Sequence, residues 1–313
     1  MSNLIAPAQP DPCRSERGEH ASIEAFPARK ATVGELEIRR ALPARGRRMV
    51  GPWCFLDRYG PLTFSDAKPM DVAPHPHIGL QTVSWLLDGE VLHRDSLGSE
   101  AMVRPGELNL MTAGRGIAHS EETPRPSSGR LSGVQLWVAL PDASRNGAPS
   151  FAHHADLPRH ELAGGTATVI LGESDGLRSP AAVHSGIVGI DVDLRGAISL
   201  PLDPGFEHAL FVLEGSAVLE GQRLEPDILY SLGTQRDELQ LSGDRARVLL
   251  IGGTPFPEPI LMWWNFVART HEEIATAREE WMSHTRFGDV ARYAGPRLPA
   301  PPLIGKASPN PAS

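Results

Sequence analysis

Two short stretches carry most of the chemistry in this sequence. One is His75-Pro76-His77; the other is His119-Ser120-Glu121, which begins forty-two residues after His77. Each places two potential ligands two residues apart. On a β-strand, residues i and i+2 face the same side, so each stretch can aim both side chains into one space. Three imidazoles and one carboxylate arriving from two strands would make a metal site. Such a donor set suits Fe, Zn, Ni, Cu or Mn, and affinity alone does not choose among them. A single His-x-His arises easily by chance among twelve histidines. Its recurrence as His-x-Glu, behind the turn residues of Met111-Thr112-Ala113-Gly114-Arg115-Gly116-Ile117-Ala118, favours the metal reading.

The elements that must position these residues read as strands. Leu80-Gln81-Thr82-Val83-Ser84-Trp85-Leu86-Leu87 is followed by Asp88-Gly89, a hairpin-type turn, and by Glu90-Val91-Leu92-His93-Arg94-Asp95 as the expected return strand. Arg104-Pro105-Gly106-Glu107 is a further turn before Leu108-Asn109-Leu110-Met111. Gly133-Val134-Gln135-Leu136-Trp137-Val138-Ala139-Leu140 alternates and ends at Pro141. His93 and Gln135 either line the cavity or take part in ordinary strand hydrogen bonding. Residues 142–165 read as a linker in which His153, His154 and His160 are solvated.

The second half repeats the pattern. Ala209-Leu210-Phe211-Val212-Leu213-Glu214-Gly215 mirrors the segment from Val83 to Gly89, and Glu225-Pro226-Asp227 mirrors the turn at Arg104. A repeat this long means duplicated domains. Ungapped alignment sets Pro201 and Asp203 opposite His75 and His77, and Gln240 and Ser242 opposite His119 and Glu121. The second domain is therefore expected to keep the shell and hold no metal. Thr270-His271-Glu272-Glu273 opens a helix expected to run to about His284.

Composition bounds the remainder. With 313 residues the chain is long enough for about two domains, each with its own core. The 31 glycines and 29 prolines, with few helix-period stretches, point to short strands and turns. The net charge of −8 argues against direct nucleic-acid binding, which needs clustered Lys and Arg. Two cysteines, Cys13 and Cys54, cannot make a disulfide framework or a Cys-based zinc site. No signal peptide or membrane-spanning stretch is evident, so a cytoplasmic location is expected. The domain expectation is a disordered leader over 1–29, a metal-binding domain over 30–165, a metal-free domain over 166–290 and a loose Pro-rich tail over 291–313.

These segments resemble the pirin family, a group of bicupins. The resemblance is carried by His75-Pro76-His77-Ile78-Gly79, His93-Arg94-Asp95, the run from Met111 to Glu121, Gln135-Leu136-Trp137-Val138, Val212-Leu213-Glu214-Gly215 and Gly252-Gly253. It covers roughly residues 30 to 290. It implies an all-β fold of two antiparallel cupin barrels of jelly-roll type, packed face to face, with a short C-terminal helix. It implies one mononuclear Fe(II), or another divalent metal, in the first barrel, with His75, His77, His119 and Glu121 as ligands. Ordinary cupins carry a Glu shortly after His-x-His. Here that region reads Gly79-Leu80-Gln81-Thr82, and Glu121 supplies the carboxylate, as in pirins. Asp57-Arg58 stands where pirins more often have Asp-His. The resemblance implies quercetin 2,3-dioxygenase activity on a flavonol and O₂, with Glu121 as the candidate base. The alternative it implies is an iron-dependent regulator that binds a transcription factor or a metabolic enzyme.

Overall fold

The structure, a computed structural model, describes residues 10–13, 21–34, 36–65 and 70–305. Two antiparallel double-sheet barrels pack face to face, and the one helix among the described residues, His271–Met282, lies against the first. No helix among them is long and apolar enough to cross a membrane.

The first barrel is a seven-stranded sheet facing a four-stranded one. The larger sheet runs Ser150–His154, Leu108–Thr112, Leu80–Gly89, Arg130–Ala139, Trp53–Thr63, Leu36–Leu42 and Arg29–Val33. Its alternation decides what lies where. Val83, Trp85, Val134, Leu136, Leu108 and Leu110 share one buried apolar cluster with Phe211, Leu249 and Ile251 of the second barrel. Thr82, Ser84, Asn109 and Gln135, the residues between, point the other way and are buried inside the first barrel. The smaller sheet, ordered Asp71–His77, Ile117–Glu122, Val91–Asp95 and Glu100–Val103, faces that interior.

Polar contacts fix the alignment of the two barrels. Trp85 Nε1 donates to Asp191 Oδ2 at 2.8 Å, and Trp53 Nε1 donates to Gly252 O at 3.0 Å. Arg58, at the position where the pirin pattern more often has His, donates to Asp227 Oδ1 at 2.7 Å. It therefore serves the join between the barrels.

Several local expectations are corrected. Val91–Asp95 does not return along Leu80–Gly89. Gly89, at φ +83°, ends its strand beside Leu131, and Val91–Asp95 crosses into the opposite sheet to pair with Ile117–Glu122. A Cβ at Gly89 would sit 2.1 Å from Arg130 O, so the corner needs glycine. Residues 142–165 carry two strands, Ser150–His154 and Arg159–Leu162. Two of their histidines have partners: exposed His153 has Nδ1 2.7 Å from Asn109 Oδ1, and His160 Nε2 lies 3.0 Å from Ser174 O, while His154 Nε2 is buried with no hydrogen-bond partner. In the leader, Asp11–Cys13 pairs with Ile260–Trp263, and Glu24–Pro27 joins the second barrel's large sheet. In the tail, Leu298 N donates to Pro74 O at 2.8 Å and Trp281 Nε1 to Leu298 O at 2.8 Å. Residues 1–9, 14–20 and 306–313, also parts of the expected leader and tail, lie outside the described residues.

Thr270 caps the helix by accepting from Glu273 N, and the helix ends at Met282. It covers the outer side of the ligand strands: Ile274, Ala277 and Trp281 pack with Ile78, Ala118, Trp263 and Phe266.

Candidate metal centre

His75 and His77 lie on Asp71–His77, and His119 and Glu121 on Ile117–Glu122. These strands are antiparallel neighbours, with His119 opposite His75 and Ile117 opposite His77. The chain arrives through a tight turn at Gly114, where φ is +51° and a Cβ would meet Gly147 O at 2.3 Å. The register shifts between His119 and Glu121, a bulge that re-aims the carboxylate. On its other side Ile117–Glu122 pairs with Val91–Asp95, which puts His93 directly opposite Glu121. All four predicted ligands are at most 2% exposed.

The ligand atoms of His75, His77 and His119 lie within 4.8 Å of one another, as do those of His93, His119 and Glu121. His119 belongs to both groups. His75 Nδ1 lies 2.9 Å from Ala73 O, and His77 Nδ1 lies 3.0 Å from Asn265 O. A carbonyl only accepts, so these Nδ1 atoms carry the protons and both Nε2 atoms hold lone pairs. His75 Nε2 and Glu121 Oε2 are buried with no hydrogen-bond partner, and His77 Nε2 sits 3.1 Å from His119 Nε2. Buried polar atoms ordinarily find partners. Buried acceptors left without donors are an arrangement a cation would satisfy.

Charge state agrees with this. Burial pushes His75 down to about 3, and burial with neighbouring imidazoles holds His77 and His119 well below the ordinary histidine range. The rings are therefore neutral near pH ~7, the form a metal requires. Burial, then the Glu121 carboxylate, raises the Tyr59 phenol, so it stays protonated.

Across the barrel interior, register aligns Asn109, Ser84, Gln135, Asp57 and Arg40 in one polar row. Arg40 grips the buried Asp57 through two hydrogen bonds of 2.7 Å. Ser84 Oγ lies 3.1 Å from Glu121 Oε1 and 2.9 Å from Gln135 Oε1. One hydroxyl proton cannot serve two acceptors. Turning the Gln135 amide over resolves this: its Nε2 donates to Ser84, and Ser84 donates to Glu121. Glu121 is thereby held by one oxygen, while Oε2 is buried without a hydrogen-bond partner and the carboxylate groups with His119 and His93.

The structure thus brings His75, His77 and His119 together and sets Glu121 beside His119 and His93. His93 and Gln135, whose place the sequence left open, are both buried in this interior. Ser84 was not singled out, although its spacing from Thr82 on an alternating strand carries the signal. Asn265 lies 188 residues from His77, and no local pattern announces it. Among the described residues, both potential metal groups lie in the first barrel. In the second barrel the matching strands Ala197–Pro201 and Glu238–Ser242 turn Ile198, Leu200, Leu239 and Leu241 inward. Pro201 and Gln240, set opposite ligands by ungapped alignment, face outward.

The pirin family model matches residues 35–138, and the model of the pirin C-terminal cupin domain matches residues 187–288. A Caulobacter vibrioides pirin-like protein is 39% identical over 82% of this chain and 91% of its own length. The chain belongs to the pirin family. A Pseudomonas aeruginosa pirin relative named "Putative quercetin 2,3-dioxygenase" is 46% identical over 93% of each chain. A crystal structure of quercetin 2,3-dioxygenase from Acinetobacter baumannii is also 46% identical and superposes with a TM-score of 0.86, covering 89% of this chain and 95% of that one. Pirin architecture, two cupin domains with the His and Glu cluster in the first, accounts for the geometry described above.

Proposed function

We propose that this pirin is an iron-dependent quercetin 2,3-dioxygenase that opens a flavonol ring with O₂ and releases CO. His75, His77, His119 and Glu121 would hold one ferrous ion. The observation that supports this reading is the pair of buried, unpartnered acceptors, His75 Nε2 and Glu121 Oε2, in two potential ligand groups joined by His119. The named dioxygenase relatives, 46% identical, supply the substrate class. A ferrous ion bound there would supply Lewis acidity toward the substrate oxygen and redox access to O₂.

The protein's own groups have separable tasks. Three neutral imidazoles and one carboxylate leave a bound divalent cation with a net charge near +1, which favours an anionic phenolate or enolate. Glu121 is the one acid of the set. Ser84 holds its Oε1, so Oε2 is the atom that would ligate the metal; Glu121 is the candidate base for the proton of the flavonol 3-hydroxyl, with a basicity that ligation would lower. The four side chains are at most 2% exposed, which limits the access of bulk water to them.

The test is turnover of quercetin by iron-loaded protein in air, read as loss of flavonol absorbance and release of CO. Turnover well above that of free ferrous ion supports the reading; turnover at the free-ion level removes it. Glu121→Gln should lower turnover per bound iron by about 10²-fold. A loss that only tracks lost iron would remove the base role and leave the ligand role.

A further inference from the structure

His75 and His77 have their tautomers set by backbone carbonyls, whereas His119 has no such contact. Its Nδ1 lies 3.3 Å from His93 Nδ1, and His93 Nε2 lies 3.3 Å from Asp95 Oδ2. Asp95 is itself anchored, since its Oδ1 accepts from Leu97 N and Ser99 N, each at 2.9 Å. His93 is also held in plane, stacked on Phe151 with centroids 4.3 Å apart and 10° between rings. His93 and Asp95 are 3% and 2% exposed, so no bulk water competes.

We infer that Asp95 and His93 are positioning residues that orient His119 and decide which of its ring nitrogens carries the proton. The inference rests on the metal-centre reading above and deepens it. The logic runs along the hydrogen bonds. A carboxylate only accepts, so His93 Nε2 donates to Asp95. A His93 ring with its one proton on Nε2 accepts at Nδ1, and His119 then donates from its own Nδ1. That leaves the His119 lone pair on Nε2, the atom aimed at His77 Nε2. The carbonyl contacts of His75 and His77 produce the same outcome. Outer partners of this kind are worth about 10- to 100-fold in metal affinity. This is the one of the three relays built wholly from side chains, so it is open to substitution.

Two readouts test it. The first is Fe(II) affinity without air, by competition with a chromophoric chelator. Asp95→Asn keeps Oδ1 on the two backbone amides but replaces Oδ2 with a donor. His93 must then accept at Nε2 and donate from Nδ1, which forces the His119 proton onto Nε2. Fe(II) should bind about 10- to 100-fold more weakly. His93→Phe, which keeps the stack on Phe151, should show the same loss. His93→Gln, which gives up the stack but can accept from His119 and donate to Asp95, should recover most of the affinity. A packing role predicts the reverse order, with Phe tolerated and Gln not. The second readout needs no metal: nitrogen NMR of the histidine rings should show His119 protonated on Nδ1 in the parent and on Nε2 in Asp95→Asn. Unchanged Fe(II) affinity in Asp95→Asn and His93→Phe, or an unchanged His119 tautomer in Asp95→Asn, overturns the relay. A parent protein with the stated tautomers but no Fe(II) binding overturns the metal-centre reading while the relay's tautomer control stands.

Discussion

Three buried neutral histidines should make the metal-free protein acid-sensitive in a defined window. In the unfolded chain each imidazole takes a proton near pH ~6.5. In the folded protein burial keeps His75 neutral down to about 3. Between about pH 7.5 and about pH 5.5 the unfolded state therefore gains a proton at this position that the folded state refuses, which costs about 1.4 kcal/mol. His77 and His119 are also held well below the ordinary histidine range, by burial first and neighbouring imidazoles second. For such groups the cost in this window is set by the unfolded chain alone, so the three together cost about 4 kcal/mol. That is a large share of the ~5–15 kcal/mol that holds a typical domain together. His208, buried in the second barrel and pushed down to about 4, adds about 1.4 kcal/mol more. The sign is fixed: stability is full above the unfolded value and falls as pH drops through it toward the folded value. The assay is urea unfolding of chelator-treated protein at both ends of the window, followed by tryptophan fluorescence. His75→Leu should reduce the pH dependence by about one proton's worth. Ferrous ion should strengthen the protein at the upper pH, and His208→Leu should remove its own share without altering that gain. A urea midpoint that stays put across the window, or a pH dependence untouched by His75→Leu, would refute the reasoning.

Three further perturbations probe the scaffold. Trp85→Phe keeps the apolar packing between the barrels but leaves Asp191 short of a 2.8 Å donor; it should cost about 1–3 kcal/mol in urea unfolding. Gly79→Ala places a Cβ 2.1 Å from Val267 O at a φ of +68°. Because Ile78 O also accepts from Val267 N, this change should push Phe266–Ala268 away from the end of the His77 strand and weaken Fe(II) binding in the chelator competition. Thr270→Ala removes the side chain that accepts from Glu273 N and should cost about 1 kcal/mol, seen as a lower melting temperature.

Much of the site was legible because its signals are local. His75 with His77, and His119 with Glu121, are two residues apart, and a strand puts such pairs on one face whatever surrounds it. The glycines at 114 and 116 mark the turn that delivers the second pair. The duplicated apolar strands marked two barrels, and Thr270 followed by Glu273 marked the start of the helix. The misreadings have equally physical causes. Asp88-Gly89 reads as a hairpin because such a pair suits tight turns, yet here Gly89 is a corner where the chain leaves one sheet for the other. Asp11–Cys13 and Glu24–Pro27 looked loose because short, Pro-bearing segments have little pattern of their own. Each is ordered by an edge it finds elsewhere, on Ile260–Trp263 and on Ile228–Gly233. Pro201 and Gln240 were set opposite ligands by alignment without gaps, whereas alternation turns Leu200 and Leu241 inward.

What the residue order offered by itself was the candidate donor set and the face its members share, since strand periodicity needs only neighbours two positions away. What the tertiary structure decided was who stands behind the donors. Val91–Asp95 crosses sheets to set His93 and Asp95 behind His119, and Asn265 reaches His77 from 188 positions along the chain. Strand pairing of that range is won by burying whole faces and satisfying every buried polar group at once. That is a property of the assembled barrels, and no single stretch of sequence contains it.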